Sequence, residues 1–132
     1  MAATLSNAKI HFHTNDEDKD PDTHVTIIVR DDNHVTAARK DSDFVRFGDG
    51  SDHTYPLEVK NHSTAESLQS GTVYIRIDPR GGRGHDTWRF NWDIDLVFND
   101  GSHLACDVAL VELNQDHREE TWGIQGIVRA ER

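Results

Sequence analysis

The chain has a single cysteine, Cys106, among 132 residues, so no disulfide can form within it. Cys106 lies in an apolar run and is expected to be a buried, inert thiol. No apolar run approaches the roughly 20 residues that a membrane-spanning helix needs. Met1 to Asn7 lacks the basic start and apolar stretch of a secretory signal. The expectation is a chain without a transmembrane segment, cytoplasmic or part of a larger protein. Cations are also scarce: 14 Lys and Arg stand against 24 Asp and Glu, for a formal charge of −10. Nucleic-acid affinity comes mostly from basic side chains meeting phosphate, so nucleic acid is not an expected partner. Unaided binding to an anionic membrane is disfavoured for the same reason. Neither a Gly-x-Ser-x-Gly elbow nor a Cys-His nucleophile pair is present. Gly81-Gly82-Arg83-Gly84 precedes a strand pattern rather than a helix, so it does not match a phosphate-binding loop. No enzyme class is indicated.

Long amphipathic helical windows are missing too, and two-residue alternation takes their place. Lys9–Thr14 sets Ile10 and Phe12 on one face and His11 and His13 on the other. His24–Arg30 follows, then a weaker strand over His34–Ala38. Thr54–Lys60 alternates Tyr55, Leu57 and Val59 with polar residues, and Pro56 places it at a sheet edge, because proline has no N–H for a ladder. His62–Ser70 is polar and suits a short helical turn. Thr72–Ile77 is a further strand. The clearest alternation runs from Trp88 to Phe98, followed by the hairpin signal Asn99-Asp100-Gly101 and a returning strand over Ser102–Val111. Asn114–Glu120 suits a polar turn or short helix, and Thr121–Val128 a last strand. About eight strands with turn signals between them predict an all-β domain, an antiparallel β-sandwich of two sheets packed face to face. Residues 1–7 are expected to form a tail and 8–132 the domain, with Phe12, Phe90, Trp92 and Trp122 in its core.

Between the first two strands lies Asn15-Asp16-Glu17-Asp18-Lys19-Asp20-Pro21-Asp22. Crowded carboxylates repel one another unless a cation or protons intervene. Hard oxygen donors on a short loop suit Ca²⁺, which accepts several oxygens at variable geometry. The same stretch also suits a solvated acidic turn. Asp16, Asp18 and Asp20 match the spacing of an EF-hand loop, but Pro21 stands where glycine is needed and Ile27 where glutamate is needed. Further ligands would have to come from elsewhere in the chain.

Nine histidines raise a transition-metal reading. His11 and His13 share a strand face and, with Glu17, mimic the start of a cupin motif, although the later Gly-Pro-x-Gly-His segment is absent. The favoured expectation is that both face solvent. Asp93 and Asp95 share a strand face as well and are expected to be solvated. His24 and His85 could approach the acidic stretch and add pH sensitivity.

The order of features resembles the PLAT domain, the lipoxygenase-homology β-sandwich of lipoxygenases, lipases and the clostridial alpha-toxin. Four stretches carry the likeness: the strand, acidic loop and strand over Ile10–Val25; Phe47-Gly48-Asp49-Gly50 and the segment to Leu57; Val73–Ile77; and His85-Asp86-Thr87-Trp88 with the strand after it. The expected glycine of the opening Thr-Gly is Asn15, and Lys19-Asp20-Pro21 replaces the usual residues before the second strand. The resemblance implies calcium ligands at Asp18 and Asp22 in the first loop and at Asp86 in the loop before Trp88, with Asp16 and Asp20 as neighbours in sequence. It also implies docking to a phospholipid surface or a protein partner, for which Phe44, Phe47, Arg80 and Arg83 are candidate contacts. The competing expectations are a calcium-independent module for protein or carbohydrate, and a cupin-type metalloenzyme.

Overall fold

The computed structural model describes residues 3–17, 24–42, 50–78, 87–114 and 116–124, without the side chains of residues 16 and 17. The strands are β1 (Leu5–Glu17), β2 (His24–Arg30), β3 (Thr36–Ser42), β4 (Asp52–Val59), β5 (Thr72–Asp78), β6 (Trp88–Phe98), β7 (His103–Leu113) and β8 (Glu119–Gly123). One helix, α1 (Ala65–Gln69), lies between β4 and β5. Thr64 caps it, its hydroxyl accepting the backbone N–H of Ser67 at 3.1 Å.

The fold is all-β, and its eight strands form one continuous antiparallel sheet in the order β7-β6-β1-β4-β3-β2-β5-β8. Two separate sheets were expected. They are joined because β4 serves both halves: it pairs with β1 from Asp52 to Leu57 and with β3 only at Glu58 and Val59. Pro56 therefore does not mark an edge of the sheet. It lies where β4 has β1 as its only registered partner, so the missing N–H breaks no ladder to β3. The sheet curls until its two halves face each other, with the Trp92 ring of β6 5.2 Å from the Trp122 ring of β8.

The core follows from alternation. β6 buries Trp88, Phe90, Trp92, Ile94, Leu96 and Phe98 and turns the residues between them outward. Phe12 packs 5.2 Å from Trp88 and 5.9 Å from Phe90, in the tilted and edge-on arrangements that aromatic quadrupoles favour. The Trp88 indole donates to the hydroxyl of fully buried Thr14 at 3.1 Å, satisfying both buried groups. Trp122 is only half-buried at the margin of this core, as is Cys106, which lies on the edge strand β7 and so is less enclosed than its apolar run suggests. β1 begins at Leu5 rather than Lys9, because Leu5 is fully buried and pairs with Phe98. Residues expected in the tail thus enter the sheet. β3 runs Thr36–Ser42, later than expected, because Asp31 to Val35 form the turn before it.

That turn is organised by Asp31. Its carboxylate accepts the N–H groups of Asn33 (2.9 Å) and Val35 (3.1 Å) and the hydroxyl of Ser63 (2.8 Å). Burial pushes this carboxyl up, but the hydrogen bonds from Ser63, Val35 and Asn33 together outweigh it and hold the group below its ordinary value. Gly71 lies close by, and a Cβ there would stand 2.1 Å from the carbonyl oxygen of Arg30. The backbone of β2 cannot yield without breaking its ladder with β5. Gly71→Ala is expected to destabilise the fold by about 2 kcal/mol or more, read as a lower urea midpoint. An unchanged midpoint would show that this close approach is not rigid.

Candidate functional site

All neighbouring strands are antiparallel, so the odd-numbered strands run one way and the even-numbered strands the other. The β1–β2, β3–β4, β5–β6 and β7–β8 links consequently share one end of the molecule. The register makes this specific. Glu17 and Arg89 are partners across β1 and β6, and His24 and Asp78 are partners across β2 and β5. Segments 18–23 and 79–86 are thus attached to adjacent points. The expected ligands Asp18, Asp20, Asp22 and Asp86 lie outside the described residues, as do the expected contacts Phe44, Phe47, Arg80 and Arg83. Asp16 belongs to β1, but its side chain is likewise outside the described set. Among the described residues, no three His, Cys, Asp or Glu side chains form a group fit to hold a metal ion.

The structure does assemble a polar cluster on the outer face of β6, β1 and β4. Alternation turns His11 and His13 away from buried Ile10, Phe12 and Thr14. His11 then stands between Asp93 of β6 and Thr54 of β4, and His13 stands opposite Asp52 of β4 and Asn91 of β6. His11 Nδ1 is 2.7 Å from Asp93 Oδ1, and His11 Nε2 is 3.0 Å from Asp52 Oδ1. His13 Nδ1 lies 2.9 Å from the same Asp52 oxygen. The imidazoles face outward as expected, yet carboxylates hold them. Asp93 is correspondingly engaged rather than merely solvated, and Asp95 stands 3.3 Å from His103 Nδ1. His24 comes within 3.7 Å of Asp41 on β3.

Lys9, His11, Thr54, Asp93 and Asp95 line a shallow depression of about 240 Å³ in this face. A second opening, of about 390 Å³, lies where β3 and β4 part, between Arg39, Lys40 and Asp41 on one side and Pro56, Leu57 and Glu58 on the other. Next to the histidine cluster, Asn91 Oδ1 accepts the side-chain amide of Asn15 (3.0 Å) and the N–H of Leu110 (2.8 Å). Leu110 sits at a register shift between β6 and β7, with φ of 59° and 85% of its surface exposed. A branched side chain is strained in that conformation.

Alternation gives the outward face of His11 and of Asp93, but only the register of β1 on β6 pairs them. Asp52 was not legible in this way, because it lies within the turn-like Gly48–Asp52 cluster and only the register of β4 places it opposite His13. A scan against protein-family models gives no match for this chain, and a search of curated proteins gives none either.

The hydrogen bond from His13, reinforced by His11, holds the Asp52 carboxyl below its ordinary value. A carboxyl depressed in the folded state contributes stability that is complete above its unfolded value, near pH 4, and is lost as the pH falls through the folded value. Melting temperatures measured from pH 5 down to pH 2 are expected to fall less steeply in Asp52→Asn than in the wild type. Parallel curves would show that the carboxylate gains nothing from its two histidines.

Proposed function

We propose that this chain is a calcium-binding, PLAT-like interaction domain that docks to a lipid surface or a protein partner through one end of its sheet. The observation that carries this reading is the register of the anchors. The partnership of Glu17 with Arg89 and of His24 with Asp78 brings the attachment points of 18–23 and 79–86 together. Those two segments contain Asp18, Asp20, Asp22 and Asp86. Residues distant in sequence would thereby supply the two halves of one oxygen-rich coordination shell, which suits the large and variable shell of Ca²⁺. Calcium would also offset part of the −10 charge that opposes approach to an anionic headgroup. In this arrangement Phe44 and Phe47, from the β3–β4 link at the same end, are the residues to insert, and Arg80 and Arg83 are the ones to meet phosphate.

A calcium-independent module for protein or carbohydrate is the second reading, favoured by the exposed opening between β3 and β4. The cupin-type reading loses ground, because both nitrogens of His11, and Nδ1 of His13, meet carboxylates instead of an open site. Among the described residues, no helix is long and apolar enough to cross a membrane.

Calorimetric titration of metal-stripped protein with Ca²⁺ tests the leading reading. Asp18→Asn and Asp86→Asn are each expected to weaken binding tenfold or more, at about 1.4 kcal/mol per decade, while the melting temperature of the calcium-free domain stays unchanged. Unaltered affinity in both variants would remove the two-loop site. Co-sedimentation with phosphatidylserine vesicles, with Ca²⁺ and with chelator, then separates lipid docking from a purely structural ion.

A further inference from the structure

The cluster around His11 contains more acceptors than neutral histidines can serve. Three N···O contacts join it: His11 to Asp93, His11 to Asp52 and His13 to Asp52, at 2.7, 3.0 and 2.9 Å. Ionised carboxylates only accept, and a neutral imidazole donates from one nitrogen alone. Neutral His11 can therefore satisfy Asp93 or Asp52 but not both, and its other nitrogen then presents a lone pair to a carboxylate oxygen. A second proton on His11 converts that contact into a charge-assisted hydrogen bond, and all three contacts are then made.

The surroundings act in the same direction. From β4 the cluster receives Asp52 and the neutral Thr54. From β6 it receives Asp93, Asp95 and the neutral Asn91. From β7, Asp107 stands directly opposite Asp93, and His103 reaches Asp95. From β1 come Lys9, opposite Asp95, and His13. Among the described residues, these four carboxylates face one lysine, and His11, His13 and His103 are the groups of the cluster that can gain positive charge.

We propose that His11, with Asp52 and Asp93, forms a proton-operated clasp that fastens β4 to β1 and β6 when both of its ring nitrogens carry a proton. The position of Asp52 gives the clasp its consequence. Asp52 is the first residue of β4, and over Asp52–Leu57 that strand has β1 as its only registered partner. On its other side the sheet opens beside Arg39, Lys40 and Asp41. Protonation fastens β4 to the β1 half, and loss of the proton from Nε2, with the N–H on Nδ1 kept for Asp93, leaves the start of β4 held by its ladder and by the His13 contact alone. This inference is independent of calcium binding at the β1–β2 and β5–β6 links.

Two measurements on the full chain test it. Nitrogen-15 and proton NMR of the imidazoles, followed from pH 8 to pH 5, is expected to show His11 passing from one N–H to two, with both protons hydrogen-bonded. A single neutral tautomer persisting to pH 5, or two N–H groups already present at pH 8, would overturn the switch. Hydrogen exchange, corrected for the intrinsic pH dependence of the rates, is expected to show about tenfold greater protection at pH 5.5 than at pH 8 for the N–H groups that β4 donates to β1 within Asp52–Leu57, Pro56 having none. His11→Gln is expected to abolish that difference, whereas His103→Gln, which removes the neighbouring pair with Asp95, is expected to retain it. A wild-type pH response surviving in His11→Gln would overturn the proposal. So would a response of the His11 and His13 resonances to one equivalent of Zn²⁺ at pH 7.5, which would assign the cluster to a metal instead.

Discussion

β4 does not serve both of its neighbours along its whole length, and the division of the sheet into two joined halves follows from that. A strand offers one row of N–H and C=O groups to each side. β4 commits most of its length to β1 and only its last two residues to β3. The hand-over couples two half-sheets into one and lets them curl over a common core, bringing Trp92 of β6 against Trp122 of β8 with five strands between them in the order. Pro56 suits this division, because a residue without an N–H can stand only where one side of the strand is unclaimed. The opening between β3 and β4 is the geometric remainder of the same constraint.

A partnership held on one side only needs support from its side chains. The ladder joins β4 to β1, and the outer face adds Asp52 with His11 and His13. Lysine or arginine in place of these histidines would give ion pairs of constant strength. Histidine makes the attachment conditional on proton concentration, because only the doubly protonated ring has a donor on each side. The opposite half-sheet is fastened differently. There Arg76 reaches both Asp78 (3.1 Å) and Glu119 (2.9 Å), and the Tyr74 hydroxyl donates to Glu119, so β5 and β8 are joined by a guanidinium that stays charged at all accessible pH. One half of the sheet is therefore fastened permanently and the other responsively.

Much of the fold was legible because alternation is a local property. Trp88–Phe98 shows its inner and outer faces residue by residue, and the Asn99-Asp100-Gly101 hairpin follows from turn chemistry. What alternation cannot supply is the identity of the neighbouring strand. Nothing local reveals that β1 lies between β6 and β4, so Asp93 and Asp52 remain anonymous surface carboxylates until the register is known. Pro56 is ambiguous for the same reason: it reports that one side of a strand is unpaired at that residue, which an edge strand and a strand shared between two half-sheets both satisfy. Leu5 was assigned to a tail because its neighbours are polar, and only the facing Phe98 draws it into the core. The acidic stretch after Asn15 was evident from composition, and the register adds which other segment is anchored beside it.

The two ends of the sheet differ in chemistry in a way that bears on where binding belongs. At the end holding the β2–β3 and β6–β7 turns, polar side chains serve the backbone: Asp31 gathers two N–H groups and Ser63, and Asp100 accepts from the N–H and hydroxyl of Ser102. Carboxylates spent in this way have little capacity left for a ligand. The acidic residues of 18–23 and 79–86 belong to the opposite end, where the strands that anchor them are paired to their last residues. Firm anchors limit how far two oxygen-bearing segments must move to share an ion, and so lower the ordering cost of binding. The cation proposed for that end and the proton proposed between imidazole and carboxylate on the outer face are also chemically separate inputs. Calcium has little affinity for imidazole nitrogen, so each can be read without interference from the other.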